Sequence, residues 1–199
     1  MLRIYSTLIE MLAAAVFIIP IMAIYNRIFF HSGKRTVVYI LFGLYFAAIL
    51  ALVGFPNIES RNIDFTINVI PFINMASDSV NAFLNVLLFV PFGFFLPLLW
   101  SKFRSVKDSV LMGLFISCII EISQIFTFRT TDINDLITNT IGTAIGYCVA
   151  KYLTGKFTKY VVSDSKDRDL YIICVSVGMI MFLLQPFISS LLWGIIYAV

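Results

Sequence analysis

The chain of 199 residues has few charged side chains, at 13% of the total, against about 25% in an average soluble domain. Its basic residues are scattered between apolar stretches, so no long basic patch could neutralise a row of nucleic-acid phosphates. One histidine and three cysteines are present, and no CxxC or Cys–His spacing joins them. These shortages exclude an ordinary soluble domain and a nucleic-acid partner, and they argue against a zinc site or a disulfide framework. We assign no metal site from the sequence.

Long apolar runs dominate the chain instead. Hydrophobic residues make up 60% of it, and the mean hydropathy is +0.97. Runs near or above the roughly 18–20 residues that cross a bilayer recur along the whole length. They predict an all-α, polytopic transmembrane helical bundle of about six spans. The predicted spans are Tyr5–Phe30, Thr36–Phe55, Val80–Trp100, Val106–Thr127, Ile133–Leu153 and Leu170–Tyr197.

Prolines and glycines punctuate several of these spans. Pro20 and Pro186 are predicted to kink the first and last spans. Pro91 and Gly93 lie at mid-depth in the third span, where we expect either a simple proline kink or a broken helix. In the fifth span Gly142 opens the sequence GTAIG, a small-xxx-small pair that suits the close approach of a second helix.

The distribution of Lys and Arg predicts the orientation of the spans. Eleven of the 14 basic residues lie in alternate connecting segments, and the other segments hold the remaining three. By the positive-inside rule the basic segments are cytoplasmic, so both termini are predicted to be external. In the external loop before the third span, Ile63, Phe65, Ile67 and Val69 alternate with polar residues. This alternation is typical of an extended segment, which we place at the membrane surface.

We predict a single domain in four consecutive parts. No internal repeat or low-complexity tract divides the chain. The parts are two N-terminal transmembrane helices in 1–55, an external loop with a re-entrant or extended segment in 56–79, a core of three transmembrane helices in 80–153, and a cytoplasmic linker with the C-terminal transmembrane helix in 154–199.

The stretch EISQIFTFRTTDINDLITNT is the most polar part of the core. Glu121 lies roughly 10 Å and Gln124 roughly 5 Å below the external end of span four, at about 1.5 Å per residue. Asn139 lies roughly 9 Å down span five by the same measure. Span three carries Asn81 and Asn85 on one face, the latter roughly 7 Å down. Three helices that enter from the same side are thus predicted to hold polar side chains at matching depth.

Such groups are costly in a bilayer, where a charged residue at the centre costs about 2.5–3.5 kcal/mol on insertion scales. We therefore infer an externally open polar pocket among spans three, four and five, with Arg129, Asp132 and Asp135 as its charged rim. Simpler roles stay open: Asp132 could cap the fifth helix, Arg129 could anchor at the interface or pair with Asp132, and the asparagines could join helices. Glu121 is functional by default in this position, or it pairs with Arg129.

The predicted pocket contains no His, no Cys and no Ser beside a base, which argues against a nucleophilic triad or zinc chemistry. Carboxylate, arginine and amide groups remain. They could recognise a phosphate or sugar head group, hold a hard cation such as Mg²⁺ through Glu121, Asp132 and Asp135, or run acid–base chemistry at Glu121. The residues do not identify a cofactor.

Four segments of this region also resemble a known family. NVIPF, NVLLFVPFGF, EISQIF and RTTDINDLITNTIG are similar, in this order and spacing, to segments of VanZ-like membrane proteins. The resemblance covers about Asn68–Ala150 and makes 80–153 a VanZ-like core. It implies a multi-pass protein of the bacterial plasma membrane, related to one that raises tolerance of teicoplanin-type lipoglycopeptides, but no particular reaction. The motif positions that carry over are Asn85, Pro91, Gly93, Glu121, Gln124, Arg129, Asp132, Asp135, Asn139 and Gly142.

Three functions are compatible with these residues. An enzyme acting at the outer leaflet on a lipid-linked envelope precursor would hold phosphate with Arg129 and use Glu121 as acid or base. A non-catalytic protein would bind or shield lipid head groups, or the lipid tail of the antibiotic. A small transporter or flippase would need access from both faces, yet the cytoplasmic halves of the spans hold few polar residues. The expected partners are a membrane lipid or lipid-linked envelope component, and a lipoglycopeptide antibiotic.

Each candidate residue has a predicted role. Carboxylates supply the candidate catalytic groups, while the arginine and the amides supply substrate-binding groups. The candidates are Glu121, Asp132 and Asp135 for catalysis; Arg129, Gln124, Asn81, Asn85 and Asn139 for substrate binding; and Pro91, Gly93 and Gly142 for structure.

Overall fold

The protein is mostly α-helical, as the apolar runs predict. In the computed structural model, 85% of the described residues are helical, which confirms the all-α class. The chain forms two compact units, one of Met1–Asn62 with Arg168–Val199 and one of Ile63–Asp167. The structure describes residues 2–59, 67–72, 78–127, 130–157 and 165–197.

The first unit is built from helices of both ends of the chain. Its helix α2 (Gly33–Val53) begins after Ser32, whose Oγ accepts a hydrogen bond from the main-chain N–H of Arg35 at 3.4 Å. The helix ends at Gly54, whose φ of 71° is a conformation that glycine adopts readily at a helix C-terminus. The helices are α1 (Leu2–Tyr25), which continues as a π-helical turn (Asn26–Phe30), α2 (Gly33–Val53), α6 (Asp167–Met179), a second π-helical turn (Ile180–Leu184) and α7 (Gln185–Tyr197).

Pro186 explains one contact within this unit. A proline in a helix frees the carbonyl four residues earlier, which here belongs to Phe182. That carbonyl accepts a hydrogen bond of 2.9 Å from the main-chain N–H of Ile58, in the segment after α2. The helical geometry changes from π to α directly before Pro186. In contrast, α1 continues through Pro20 as one uninterrupted helix. A π-helical turn thus precedes Pro186, and the kinks expected at Pro20 and Pro186 stay predictions.

The second unit contains three long helices and a minimal parallel strand pair. Ile67 lies opposite Thr131 and Asn68 opposite Asp132. Two residues of the predicted extended segment, Ile67 and Asn68, form strand β1, while its first residues, 63–66, lie outside the described ranges. The elements are β1 (Ile67–Asn68), α3 (Ser79–Leu99), a 3-10 turn (Ser101–Arg104), α4 (Val106–Gln124), β2 (Thr131–Asp132) and α5 (Ile133–Phe157).

Helices α3 and α5 are in direct backbone contact. A Cβ atom added to Gly142 would collide with the main-chain oxygen of Val86, and one added to Gly146 would collide with that of Val90. Because the two glycines are four residues apart, they lie on one face of α5 and admit the α3 backbone along that face. The close helix approach predicted from GTAIG is confirmed.

Thr143 lies where all three helices of this unit meet. Its main chain packs against Gly93 of α3, and its side chain packs against Gly113 of α4, so neither glycine has room for a Cβ atom. Gly93 thus makes room for the α5 backbone. Helix α3 continues through Pro91 to Leu99. Of the two alternatives for this position, the broken helix is therefore wrong, and the simple proline kink stays a prediction.

Apolar side chains cover much of the helix surface. Leu12, Val80, Val175 and Leu191 are each more than 60% exposed, as expected where helices face lipid. Helices α4 and α5 have the length to cross a bilayer, but their polar residues lower their hydropathy, so six spans remain a prediction. Four described segments are long and apolar enough to cross a membrane: Tyr5–Phe30, Gly33–Val53, Ser79–Leu99 and Asp167–Ile196.

Candidate functional site

Glu121 is buried in the last turn of α4, with 5% of its surface exposed. The helix ends at Gln124, because the N–H and the hydroxyl of Thr127 both donate to the Gln124 carbonyl at 3.0 Å and close a turn. Glu121 therefore lies about 4.5 Å from the end of its helix, at 1.5 Å per residue. The predicted distance of roughly 10 Å between Glu121 and the end of its helix is wrong, because the predicted span includes the turn Ile125–Thr127.

Two hydrogen bonds fix Glu121 to strand β2. Its Oε2 accepts from the main-chain N–H of Asp132 at 2.9 Å. Its main-chain oxygen accepts from the hydroxyl of Thr131 at 3.0 Å. The end of α4 and the start of α5 are thus joined through the side chain and the main chain of one buried acid.

Asp132 caps helix α5. Its Oδ1 accepts from the main-chain N–H of Asn134 at 2.8 Å, which satisfies one of the free donors of a helix N-terminus. The capping alternative for this residue is confirmed. The same oxygen accepts from Nδ2 of Asn68 at 3.1 Å, and Oδ1 of Asn134 accepts from the N–H of Phe72 at 2.7 Å. Side chains at the start of α5 thereby hold the 67–72 segment against it.

Asp135 and Asn85 connect α5 to α3. The amide of Asn85 hydrogen-bonds the carboxylate of Asp135, and the charges of Asp132 and Asp78 act on that carboxylate from the same end of the unit. Asn81 is exposed and donates to Asp78 at 2.6 Å. The structure brings Asn85 into the polar cluster, whereas Asn81 lies at its outer edge.

Asn139 lies one level deeper, against Ser117 of α4. Its Nδ2 donates to Oγ of Ser117 at 3.0 Å, and the two residues are 2% and 0% exposed. Oδ1 of Asn139 is buried and has no hydrogen-bond partner among the residues that the structure describes. The predicted alignment of Asn139 with Glu121 is wrong by one helical turn, because Ser117 precedes Glu121 by four residues.

Gln124 and Arg129 complete the set of polar candidates. Gln124 is buried, with 3% exposure, and lies three residues, or about one helical turn, beyond Glu121. Arg129 falls outside the described ranges, so its predicted place at the rim stays a prediction. Pro91, Gly93 and Gly142 lie in the packed α3 and α5 helices described above. Of the predicted residues, the structure thus groups Asn85, Glu121, Gln124, Asp132, Asp135 and Asn139 at one end of the second unit.

Sequence reasoning missed several residues of this group. Ser117 carries a usable signal, since a residue four positions before Glu121 lies on the same helix face. Asn68 and Asn134 are found only by knowing that β1 pairs with β2. Nothing in the local pattern around Asn68 shows a partner 64 positions further along the chain.

Among the residues that the structure describes, the charged neighbours of Glu121 and Asp135 are all acidic. Glu121 experiences the negative charges of Asp132 and Asp135. The described residues include no group of three or more His, Cys, Asp or Glu side chains placed to hold a metal ion. This geometry does not support the Mg²⁺ alternative through Glu121, Asp132 and Asp135. What the cluster offers is carboxylate and amide acceptors at one buried end of three packed helices.

A family comparison identifies the type of protein. A family model described as VanZ/LLP1 matches residues 17–154. The chain belongs to the VanZ/LLP1 family. The match includes every residue of the polar group, and it begins earlier than the Asn68 boundary of the motif resemblance, so it also covers the C-terminal part of α1 and all of α2.

Family membership and the apolar helices together make this a VanZ-like membrane protein. No curated protein sequence and no solved structure matches the chain significantly. The chemistry of this VanZ-like protein is therefore argued from its own residues.

Proposed function

We propose that this VanZ-like protein is a multi-pass protein of the bacterial plasma membrane, with both termini external, that recognises or modifies a lipid-linked or phosphate-bearing component of the cell envelope. We further propose that this activity contributes to tolerance of teicoplanin-type lipoglycopeptides. The observation that supports the proposal is the grouping of Asn85, Glu121, Asp135 and Asn139 from α3, α4 and α5 at one end of the second unit. Polar and ionisable residues at membrane depth are expensive and mark binding or reaction sites.

The division of roles follows from the chemistry of the side chains. Arg129 is the basic residue that the sequence places beside the cluster, and its planar guanidinium suits a phosphate. Glu121 and Asp135 are carboxylates in reach of each other's charge, and either could transfer a proton. Asn85 orients Asp135 through a hydrogen bond. An envelope lipid with a phosphate head group offers groups for each of these side chains.

Non-catalytic binding is the second candidate, and one contact favours it. Oε2 of Glu121 accepts from the N–H of Asp132, which fixes the carboxylate in a structural bond. A carboxylate held in this way can shape a binding site without exchanging a proton with a substrate. In this version the protein engages the lipid head group, or the antibiotic, without turnover.

The test expresses single variants in a susceptible bacterial host and scores lipoglycopeptide tolerance together with the envelope lipid profile. The site variants are Glu121→Gln, Arg129→Ala and Asp135→Asn. Glu59→Gln is the matched control, because Glu59 is an exposed acid in the first unit. Membrane levels of all variants are equalised first. We expect the three site variants to lose tolerance and the control to keep it.

The lipid profile separates the two candidates. A profile that changes with the wild-type protein and reverts in Glu121→Gln indicates modification of a lipid. An unchanged profile with loss of tolerance indicates binding without turnover. Tolerance that persists in all three site variants would remove this cluster as the working part of the protein.

A further inference from the structure

The polar end of the second unit holds more acidic residues than basic ones. Four acidic residues lie there, Asp78 and Asp132 acting on Asp135, and Asp132 and Asp135 acting on Glu121. The sequence between residues 63 and 167 places one basic residue at this end, Arg129, since the others connect α3 to α4 or lie near and beyond the end of α5. One arginine cannot balance four acids, wherever its side chain lies.

A buried hydrogen-bond acceptor lies one helical turn deeper than these acids. Asn139 follows Asp135 by four residues, so the two side chains lie on the same face of α5. Its Nδ2 is directed at Ser117, which precedes Glu121 by four residues on the facing surface of α4. Oδ1 therefore lies between the two helices that carry Asp135 and Glu121, and no described residue donates to it. A buried polar atom without a partner costs about 1–3 kcal/mol, so this acceptor points to a missing donor.

We propose that the buried part of the site, formed by Glu121, Asp135 and Asn139, binds a primary ammonium group of a lipid head group. An ammonium group brings a positive charge to the unbalanced carboxylates and three N–H donors to their oxygens and to Oδ1 of Asn139. It deepens the proposed function and rests on it: the lipid head group is the one that the proposed function recognises, and the buried acceptors bind its amine. A phosphate alone would meet carboxylates and would leave the Asn139 oxygen without a donor.

Two sources can supply this chemistry. The ammonium belongs either to an ethanolamine head group or to an amino acid esterified to a lipid. Both present a primary amine with a phosphate close by. The chemistry in the structure is the same for each, so the probes of the test distinguish them.

The experiment titrates the detergent-purified full chain with single lipids and measures dissociation constants by native mass spectrometry. Phosphatidylethanolamine is compared with its N-acetyl derivative, which keeps the phosphate and loses the charge, and with phosphatidylcholine, which keeps the charge and loses the donors. We expect each change to weaken binding by about tenfold, as for one lost charge-assisted hydrogen bond. Lysyl-phosphatidylglycerol represents the lipids that carry an esterified amino acid. Whichever of the two amine lipids binds more tightly identifies the source of the ammonium group.

Single variants test whether the preference for an amine lipid arises at this site. Asp135→Asn removes a charge and keeps the shape, so we expect it to lower the affinity for phosphatidylethanolamine about tenfold and to leave the N-acetyl lipid unaffected. Asn139→Asp keeps an acceptor in place of Oδ1 and is expected to bind the amine lipid at least as tightly as the wild type. Glu59→Gln removes an exposed charge outside the site and is the control.

The lipid series alone can overturn the proposal, whether or not a variant folds. Equal affinity of the wild type for phosphatidylethanolamine and its N-acetyl derivative would show that protons, not an ammonium group, neutralise the acids. Tighter binding of phosphatidic acid, or no measurable binding of either amine lipid, would also overturn it. None of these results bears on whether Glu121→Gln abolishes tolerance in cells, so the two proposals fail separately.

Discussion

The carboxylate of Glu121 accepts a hydrogen bond of 2.9 Å from the main-chain N–H of Asp132. The bond closes the connection between α4 and α5, and Asp132 in turn caps α5 and holds Asn68 of β1. The buried carboxylate of Glu121 thereby satisfies a main-chain donor of strand β2. Glu121 consequently has two separable properties, its hydrogen-bond acceptor and its charge.

Two substitutions separate these properties of Glu121. Glu121→Gln keeps an oxygen that can accept from Asp132, so we expect the thermal midpoint in detergent to stay close to that of the wild type. Glu121→Ala leaves the Asp132 N–H without its acceptor in a part-buried place, and we expect it to destabilise the protein by about 1–3 kcal/mol. Thermal unfolding of the two purified variants measures the difference.

The comparison with tolerance completes this test. If the charge is what matters for function, Glu121→Gln loses tolerance while it retains stability. Equal loss of stability in the two variants would contradict the role of the acceptor. Full tolerance in Glu121→Gln would contradict the role of the charge.

Glycine substitutions test the contact between α3 and α5. A Cβ atom on Gly146 would collide with the main-chain oxygen of Val90, so Gly146→Ala must push two backbones apart. We expect destabilisation of about 1–3 kcal/mol, as for other overpacked sites, seen as a lower thermal midpoint. Gly178→Ala is the matched control, because no atom lies within 4 Å of its added Cβ, and it is expected to be neutral or slightly stabilising.

A buried pair in the first unit gives an independent prediction. The hydroxyl of Tyr39 donates to Oδ2 of Asp169 at 3.0 Å, and the residues are 0% and 1% exposed. Tyr39→Phe removes one donor from a buried carboxylate and is expected to cost about 1–3 kcal/mol while tolerance per folded molecule stays unchanged. Tyr5→Phe, at a position that is 57% exposed, is the control. A variant as stable as the wild type would show that the Tyr39 bond adds nothing to stability.

The helices themselves follow from local sequence. Apolar runs, the Ser32 cap and the Gly54 C-terminus suffice to define α2, and the predicted start of α5 at Ile133 agrees with the structure. The end of α4 does not follow, because Ile125–Thr127 are as apolar as a helix requires and yet form a turn. That turn is stabilised by Thr127 hydrogen bonds to Gln124, which hydropathy does not register.

The sequence predicts which residues belong to the polar cluster, but it does not predict which of them contact one another. Spacing along single helices identifies Glu121, Asp135 and Asn139 as polar residues on facing surfaces. Which of them meet depends on how α4 and α5 slide past one another, and Gly113 against Thr143 fixes that alignment. A glycine contact between distant parts of the chain leaves no periodic signal in the sequence. The sequence therefore does not show that Asn139 lies beside Ser117 and not beside Glu121, whereas the structure does.

The orientation in the membrane is tested by labelling cysteines. Thr130 is exposed in the connection between α4 and α5, and the distribution of basic residues places this connection outside the cell. In a variant whose three native cysteines are replaced, Thr130→Cys is expected to react with a membrane-impermeant maleimide in intact cells. Ser105→Cys, exposed before α4, is the opposite-side control and is expected to react only after lysis. The reverse pattern would place the Glu121 cluster in the cytoplasmic half and would make an outer-leaflet head group an impossible ligand.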